Sequence, residues 1–151
     1  MITPAFLETF QDSQTLTFVF HELMHGVVAL PLAYIIWRKT HAWKNVLILI
    51  AFTFLIDLDH LVDYFSYYGF SWHINEVITG EFYAQIRRTF VPLHAWEWAI
   101  LIGVLAKLRG WKSYYTAILF GLLPHLIFDS IIVGSFIFYS IIYRSLLGFW
   151  L

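Results

Sequence analysis

The sequence predicts an all-α integral membrane protein, a helical bundle of four transmembrane helices, and three observations carry that prediction. Apolar residues fill 60% of the 151 positions and charged residues only 13%, a balance far from that of a water-soluble domain. The apolar residues gather into runs that can cross a hydrocarbon core of about 30 Å as helices. Small basic groups punctuate those runs, as membrane topology requires. Strands are excluded, because an open sheet would leave backbone groups unpaired in lipid and no run alternates with the two-residue period of a barrel.

Met1 to Gln14 has no basic residue ahead of an apolar stretch and carries Glu8 and Asp12. A cleavable signal peptide is therefore not expected, and the segment reads as interfacial. The first span runs from Thr15 to Trp37, the second from Val46 to about His60, the third from Val91 to Ala106, and the fourth from Tyr114 to about Val133. A fifth C-terminal segment has room from Ser135 to Leu151, where Arg144 would need a partner or an interfacial position. The connection over residues 61–90 is aromatic from Tyr64 to Tyr83, which suits interfacial helices at headgroup depth. No repeat or linker divides the chain, so residues 1–151 read as a single transmembrane domain.

Arg38, Lys39 and Lys44 separate the first two runs, and Lys107, Arg109 and Lys112 separate the last two. The positive-inside tendency puts both loops in the cytoplasm and the 61–90 connection outside, with Arg87 and Arg88 against the trend. The expected location is the cytoplasmic membrane of a bacterium or archaeon. A net charge of -1 gives no basic surface for nucleic acid. The absence of cysteine leaves any metal to nitrogen and oxygen ligands.

Ionisable side chains are costly in hydrocarbon, so those inside the spans are candidates for function. His21 and His25 are four apart in the first span, Asp57-Leu58-Asp59-His60 ends the second, His94 and Glu97 open the third, and His125 and Asp129 are four apart in the fourth. At about 1.5 Å per residue, His25 lies about 18 Å from Trp37, and Asp57, His94 and His125 lie about 20 Å from the basic residues of their loops. Antiparallel neighbours would bring these groups to one layer in the outer half of the bilayer. Isolated hydrogen bonds to neighbouring helices would explain each residue singly but not a common depth. A divalent metal explains the set: imidazole and carboxylate suit zinc, and also manganese or iron, and a dication offsets buried carboxylates.

In that order, His25, Asp57 with Asp59, His94, and His125 with Asp129 resemble the YdjM/YbcI-like family of predicted membrane-bound metal-dependent hydrolases. The likeness covers roughly Phe20 to Ser130. That family has an early His in the first span, an Asp-x-Asp ending the second, a His-Arg-Gly-x-Thr-His segment and a late His-x-x-x-Asp. Here the third element reads Thr89-Phe90-Val91-Pro92-Leu93-His94 and keeps only its final His.

The expected activity is hydrolysis by a metal-activated water acting on a membrane-associated substrate, such as a lipid phosphoester, at a site near the extracytoplasmic side. One or two ions would be held by His25, Asp57, Asp59, His94, His125 and Asp129, with His21 also available, and Glu97, Glu22 or His60 would accept the proton. Two alternatives stay open. His21-Glu22-Leu23-Met24-His25 is a literal His-Glu-x-x-His, the signature of a zinc metalloprotease, here within a span. A noncatalytic metal or proton translocator would also use buried His and Asp, but it needs polar residues continuing to the cytoplasmic side, where Pro31 to Trp37 and Val46 to Phe54 are almost wholly apolar.

Overall fold

The computed structural model describes residues 4–79, 82, 86–111 and 114–149, with side chains described from residue 16 onward except at 74, 78 and 79. Tyr83, Lys112 and the two chain ends therefore lie outside the described residues. Among the described residues every regular element is helical.

Helix α1 spans Pro4–Thr40. No Gly or Pro follows Pro4 until Gly26, so nothing interrupts the helix where an interfacial segment was expected to end. Its membrane-length portion is Leu16–Thr40. Along it Leu16, Phe20, Leu23, Val27, Leu30 and Tyr34 are all exposed, an apolar stripe at alternating spacings of four and three that faces away from the protein. In water such a stripe would be a liability; against lipid tails it is ordinary.

The second span is longer than its expected end at His60. Helix α2 (Trp43–Leu55) tightens into a 3₁₀ turn over Ile56–Asp59 and continues as α3 (His60–Tyr68). Together Trp43–Tyr68 make a second membrane-length apolar stretch. Two residues apart in a helical turn, Asp57 and Asp59 point to different sides of the axis. A short helix, α4 (Ile74–Thr79), follows in the aromatic connection.

The third run forms a helix only from Trp96, giving α5 (Trp96–Leu108). Thirteen residues reach about 20 Å, short of the full hydrocarbon thickness. Pro92 accounts for the late start, because it lacks an N–H and disfavours helix at Val91. His94 consequently sits in a loop and not in the helix. Helix α6 is Tyr114–Val133, the expected fourth run and the third membrane-length helix. After Gly134, at φ 74, the chain makes a 3₁₀ turn over Ile137–Tyr139 and a last helix, α7 (Ile141–Leu146). Six residues extend about 9 Å, so α7 cannot be a fifth span.

Helix α6 is the hub: α1, α2 and α5 all pack on it, and 56% of its most apolar window is buried against 22% for α1 and α2. Gly121 permits the closest approach. A Cβ there would stand 2.5 Å from the Leu49 carbonyl oxygen and 3.1 Å from the Thr53 nitrogen, backbone atoms of α2 that cannot rotate away. Gly121→Ala is expected to lower the thermal unfolding temperature in detergent, at an overpacking cost of about 1–3 kcal/mol. It would also displace the Thr53 carbonyl from a histidine described below.

Below the polar layer, Ala29, Ala33 and Ile36 of α1, Leu49 of α2 and Ala117 of α6 form a buried apolar cluster. It closes the bundle on the side of the basic α1–α2 turn.

Candidate metal centre

The structure brings His21, His25, Asp57, Asp59, His60, His94, His125 and Asp129 into one polar layer. Its innermost atoms are His94 Nε2, His125 Nε2, Asp57 Oδ1 and Asp129 Oδ2. The two nitrogens are 3.1 Å apart. Asp57 Oδ1 lies 3.3 Å from each of them. Asp129 Oδ2 lies 3.5 Å from His94 Nε2 and 3.1 Å from His125 Nε2. A tetrahedral ion with nitrogen and oxygen ligands at about 2.0–2.1 Å sets its ligand atoms about 3.3–3.4 Å apart. The five separations scatter around that edge length.

The outer nitrogens explain why these four atoms need something between them. His125 Nδ1 is 2.8 Å from the Thr53 carbonyl oxygen, which can only accept, so this nitrogen carries the hydrogen. His94 Nδ1 is 2.9 Å from Asp59 Oδ1, which makes it the donor in turn. In the neutral state that metal binding requires, both Nε2 atoms present lone pairs to each other and to two carboxylate oxygens. Four acceptors converge without a donor, an arrangement that a cation relieves and that is costly without one.

His94 owes its position to a loop fixed by three charged groups. Asp59 Oδ2 accepts from the Leu93 N–H at 2.6 Å and the His94 N–H at 3.1 Å. Asp63 Oδ2 accepts from the Phe90 N–H at 2.9 Å and the Val91 N–H at 3.3 Å. From the opposite side Arg144, only 2% exposed, donates Nη2 to the carbonyls of Val91 at 3.1 Å and His94 at 2.9 Å. The partner that Arg144 required from its place in an apolar segment is thus the backbone around His94.

The sequence reading groups Asp59 with the ligands, whereas in the structure both its oxygens are engaged by His94 and its backbone. Loss of such an orienting carboxylate typically lowers metal affinity about 10- to 100-fold. Asp59→Asn is expected to show that weakening in a chelator competition while still loading metal at saturation.

On the other side of Asp129, His25 Nε2 is 3.3 Å and His21 Nε2 3.6 Å from Oδ1. The His25 and His125 rings stack, centroids 3.7 Å apart and 9° from parallel. His25 is completely buried, yet neither of its ring nitrogens has a hydrogen-bond partner, nor do His21 Nε2 and Asp129 Oδ1. His60 Nε2 is 3.6 Å from Asp57 Oδ1 at the edge of the cluster. Glu97 stands apart from these contacts: its carboxylate accepts from Ser140 Oγ at 2.6 Å and from the Ile141 and Ile142 N–H groups at 3.2 and 3.3 Å. Its work in this structure is to fasten the start of α7 to α5.

No family model, curated protein or solved structure matches this chain. Function must therefore be read from the site itself.

A cavity of about 310 Å³ opens onto the cluster. Its polar wall is His21, Glu22, Asp57, His60 and Asp129, and its apolar wall is Phe18, Leu61, Val77, Phe82, Ile132 and Val133, with Tyr139 between them. Asp63, Arg144 and Tyr139 are absent from the sequence-based site. Asp63 had a legible signal, since it falls four residues after Asp59 and so on the same helical face. Tyr139, whose ring lies 5.9 Å from that of His94, had none, because its place depends on the turn after α6.

Proposed function

We propose that this chain is a membrane-bound metal-dependent hydrolase, with α5 crossing as the third of four transmembrane helices and the centre lying in the outer half of the bilayer. The observation that carries the metal is the convergence of His94 Nε2, His125 Nε2, Asp57 Oδ1 and Asp129 Oδ2 at 3.1–3.5 Å, with the proton-bearing sides of both rings turned outward. Zinc suits a compact site of two imidazoles and two carboxylates best among common cations, with manganese or iron next. The YdjM/YbcI-like resemblance agrees with this reading.

A dication held by these four residues would supply Lewis acidity and, on taking a water as a fifth ligand, would lower that water's pKa. The chain's own residues do the rest. Asp59 and the Thr53 carbonyl hold the two imidazoles in the tautomer that directs Nε2 inward. Glu22, on the cavity wall beside the cluster, is placed to take a proton from water entering by that cavity. His60, at 3.6 Å from Asp57 and lining the same cavity, can hand a proton to a leaving group. The apolar wall from Phe18 to Val133 excludes bulk water and gives an acyl or prenyl tail somewhere to lie.

A lipid-borne phosphoester fits a cavity that joins a metal site to an apolar wall. The apolar cluster of Ala29, Ala33, Ile36, Leu49 and Ala117 beneath the site supports a pocket closed on one side over a path for ions. One observation favours a second reading, an intramembrane metalloprotease: His21 and His25 of the His-Glu-x-x-His motif share Asp129 Oδ1, with Glu22 at the cavity. That reading leaves His94, Asp57 and Asp59 without a task. Purified protein incubated with lipid phosphoesters and, separately, with a transmembrane peptide separates them. Phosphate or headgroup release abolished by chelator is expected; peptide cleavage with no phosphoester turnover would replace this proposal by the second.

A further inference from the structure

We infer that the centre is binuclear, with a second divalent cation held by His21 Nε2, His25 Nε2 and Asp129 Oδ1, and with the Asp129 carboxylate bridging it to the ion at His94, His125 and Asp57. This deepens the metal reading above and rests on it. Three independent features lead here.

The first is unused donor capacity. His25 is fully buried and neither ring nitrogen has a hydrogen bond, while His21 Nε2 and Asp129 Oδ1 are buried and equally without one. Buried polar atoms are normally satisfied, so several orphans converging on one another mark a missing partner. Neither imidazole makes a hydrogen bond to Asp129 Oδ1 across 3.3 and 3.6 Å, and a cation that takes the lone pairs of both nitrogens and of the oxygen satisfies all three at once.

The second feature is the way Asp129 divides its oxygens. Oδ2 faces His125 Nε2 at 3.1 Å and Oδ1 faces His25 Nε2 at 3.3 Å. Each oxygen therefore belongs to a different nitrogen group, as in a bridging carboxylate.

The third is spacing. The His25 and His125 rings stack nearly parallel with centroids 3.7 Å apart, so the two ligand groups adjoin each other across Asp129. Hydrolytic two-metal sites place their ions about 3.5–4 Å apart. His21 and Glu22 also line the cavity, so the second ion would keep an open side toward substrate. The His-Glu-x-x-His motif thus serves the same centre as the Asp-x-Asp and His-x-x-x-Asp pairs.

Metal content after loading with Mn²⁺ and removal of excess tests this directly. The wild-type chain is expected to retain about two ions and His21→Ala about one. His21 is the right probe because its side chain is 34% exposed and its removal leaves His94, His125 and Asp57 untouched, so the remaining ion reports a folded site. Electron paramagnetic resonance of the Mn²⁺-loaded wild-type protein gives a reading that needs no variant: an exchange-coupled signal is expected, and an isolated six-line spectrum would overturn the bridge. One ion in wild type, lost in Asp57→Ala but kept in His21→Ala, would sink the second site and leave the single-metal hydrolase standing. Two ions retained in His21→Ala would also sink it. No stoichiometric metal in wild type would remove both readings.

Discussion

Asp57→Asn is expected to abolish stoichiometric metal binding at the His94–His125 centre and yet leave a folded, monodisperse protein in detergent. Asp57 Oδ1 is the one carboxylate oxygen equidistant, at 3.3 Å, from both imidazole Nε2 atoms. Its side chain is 19% exposed toward the cavity, so the isosteric amide needs no repacking. The amide removes the charge that makes a dication worth binding there. The affinity loss should run well beyond the about 10- to 100-fold expected when only an orienting partner is lost. The loss should also show in thermal stability. From the ion at the His94–His125 centre the wild type should gain about 4 kcal/mol when that ion is present at about a thousand times its dissociation constant, a gain the variant lacks. Thermal unfolding with and without chelator reads the difference.

Glu22→Gln is expected to separate chemistry from binding. Glu22 follows His21 in the motif and lines the cavity, and its nearest described ionic neighbour is His21 Nδ1 at 4.0 Å, outside the inner four atoms. A residue that accepts a proton from the attacking water contributes typically about 10²–10⁴ in rate. The amide should thus lower kcat on a lipid phosphoester by that factor, with the ion at the His94–His125 centre retained and KM little altered. The same substitution at Glu97 should cost stability instead. Its oxygens hold the α7 start through Ser140, Ile141 and Ile142, and losing an acceptor for those groups leaves donors unpaired. A collapse of kcat in the Glu97 variant with no loss of stability would reverse the two assignments.

The polar residues were legible in the sequence because hydrocarbon makes them so. A His or Asp in an apolar run has few inexpensive explanations, and counting rise per residue from the basic turns already placed His25, Asp57, His94 and His125 at one depth. The four-residue spacings His21–His25 and His125–Asp129 carried through directly, since both lie in uninterrupted helix. The division of labour was not legible. Asp57 and Asp59 look equivalent as letters, and although a two-residue spacing on a helical turn sends them in different directions, only the placement of His94 between them makes one line the centre and the other hold the far side of its ring. His94 appeared to open a helix, but Pro92 delays α5 to Trp96, and the freed backbone N–H groups are what Asp59 and Asp63 grip. The C-terminal segment shows the converse. Its apolar content permitted a span, whereas the turn at Gly134 and the pull of Arg144 on the Val91 and His94 carbonyls fold it back over the site. Long-range contacts of this kind have no periodicity for a sequence to display.

X-ray absorption spectroscopy at the edge of whichever metal the purified chain carries tests the central claim most directly, because it sees the ligands themselves. A shell of nitrogen and oxygen at about 2.0–2.2 Å, with the outer-shell scattering of at least two imidazoles and no sulfur, is the predicted result. A metal surrounded only by water-like oxygen, with no imidazole signature, or a purified protein that neither carries nor takes up a stoichiometric ion, would mean that His94, His125, Asp57 and Asp129 converge for some purpose other than holding one.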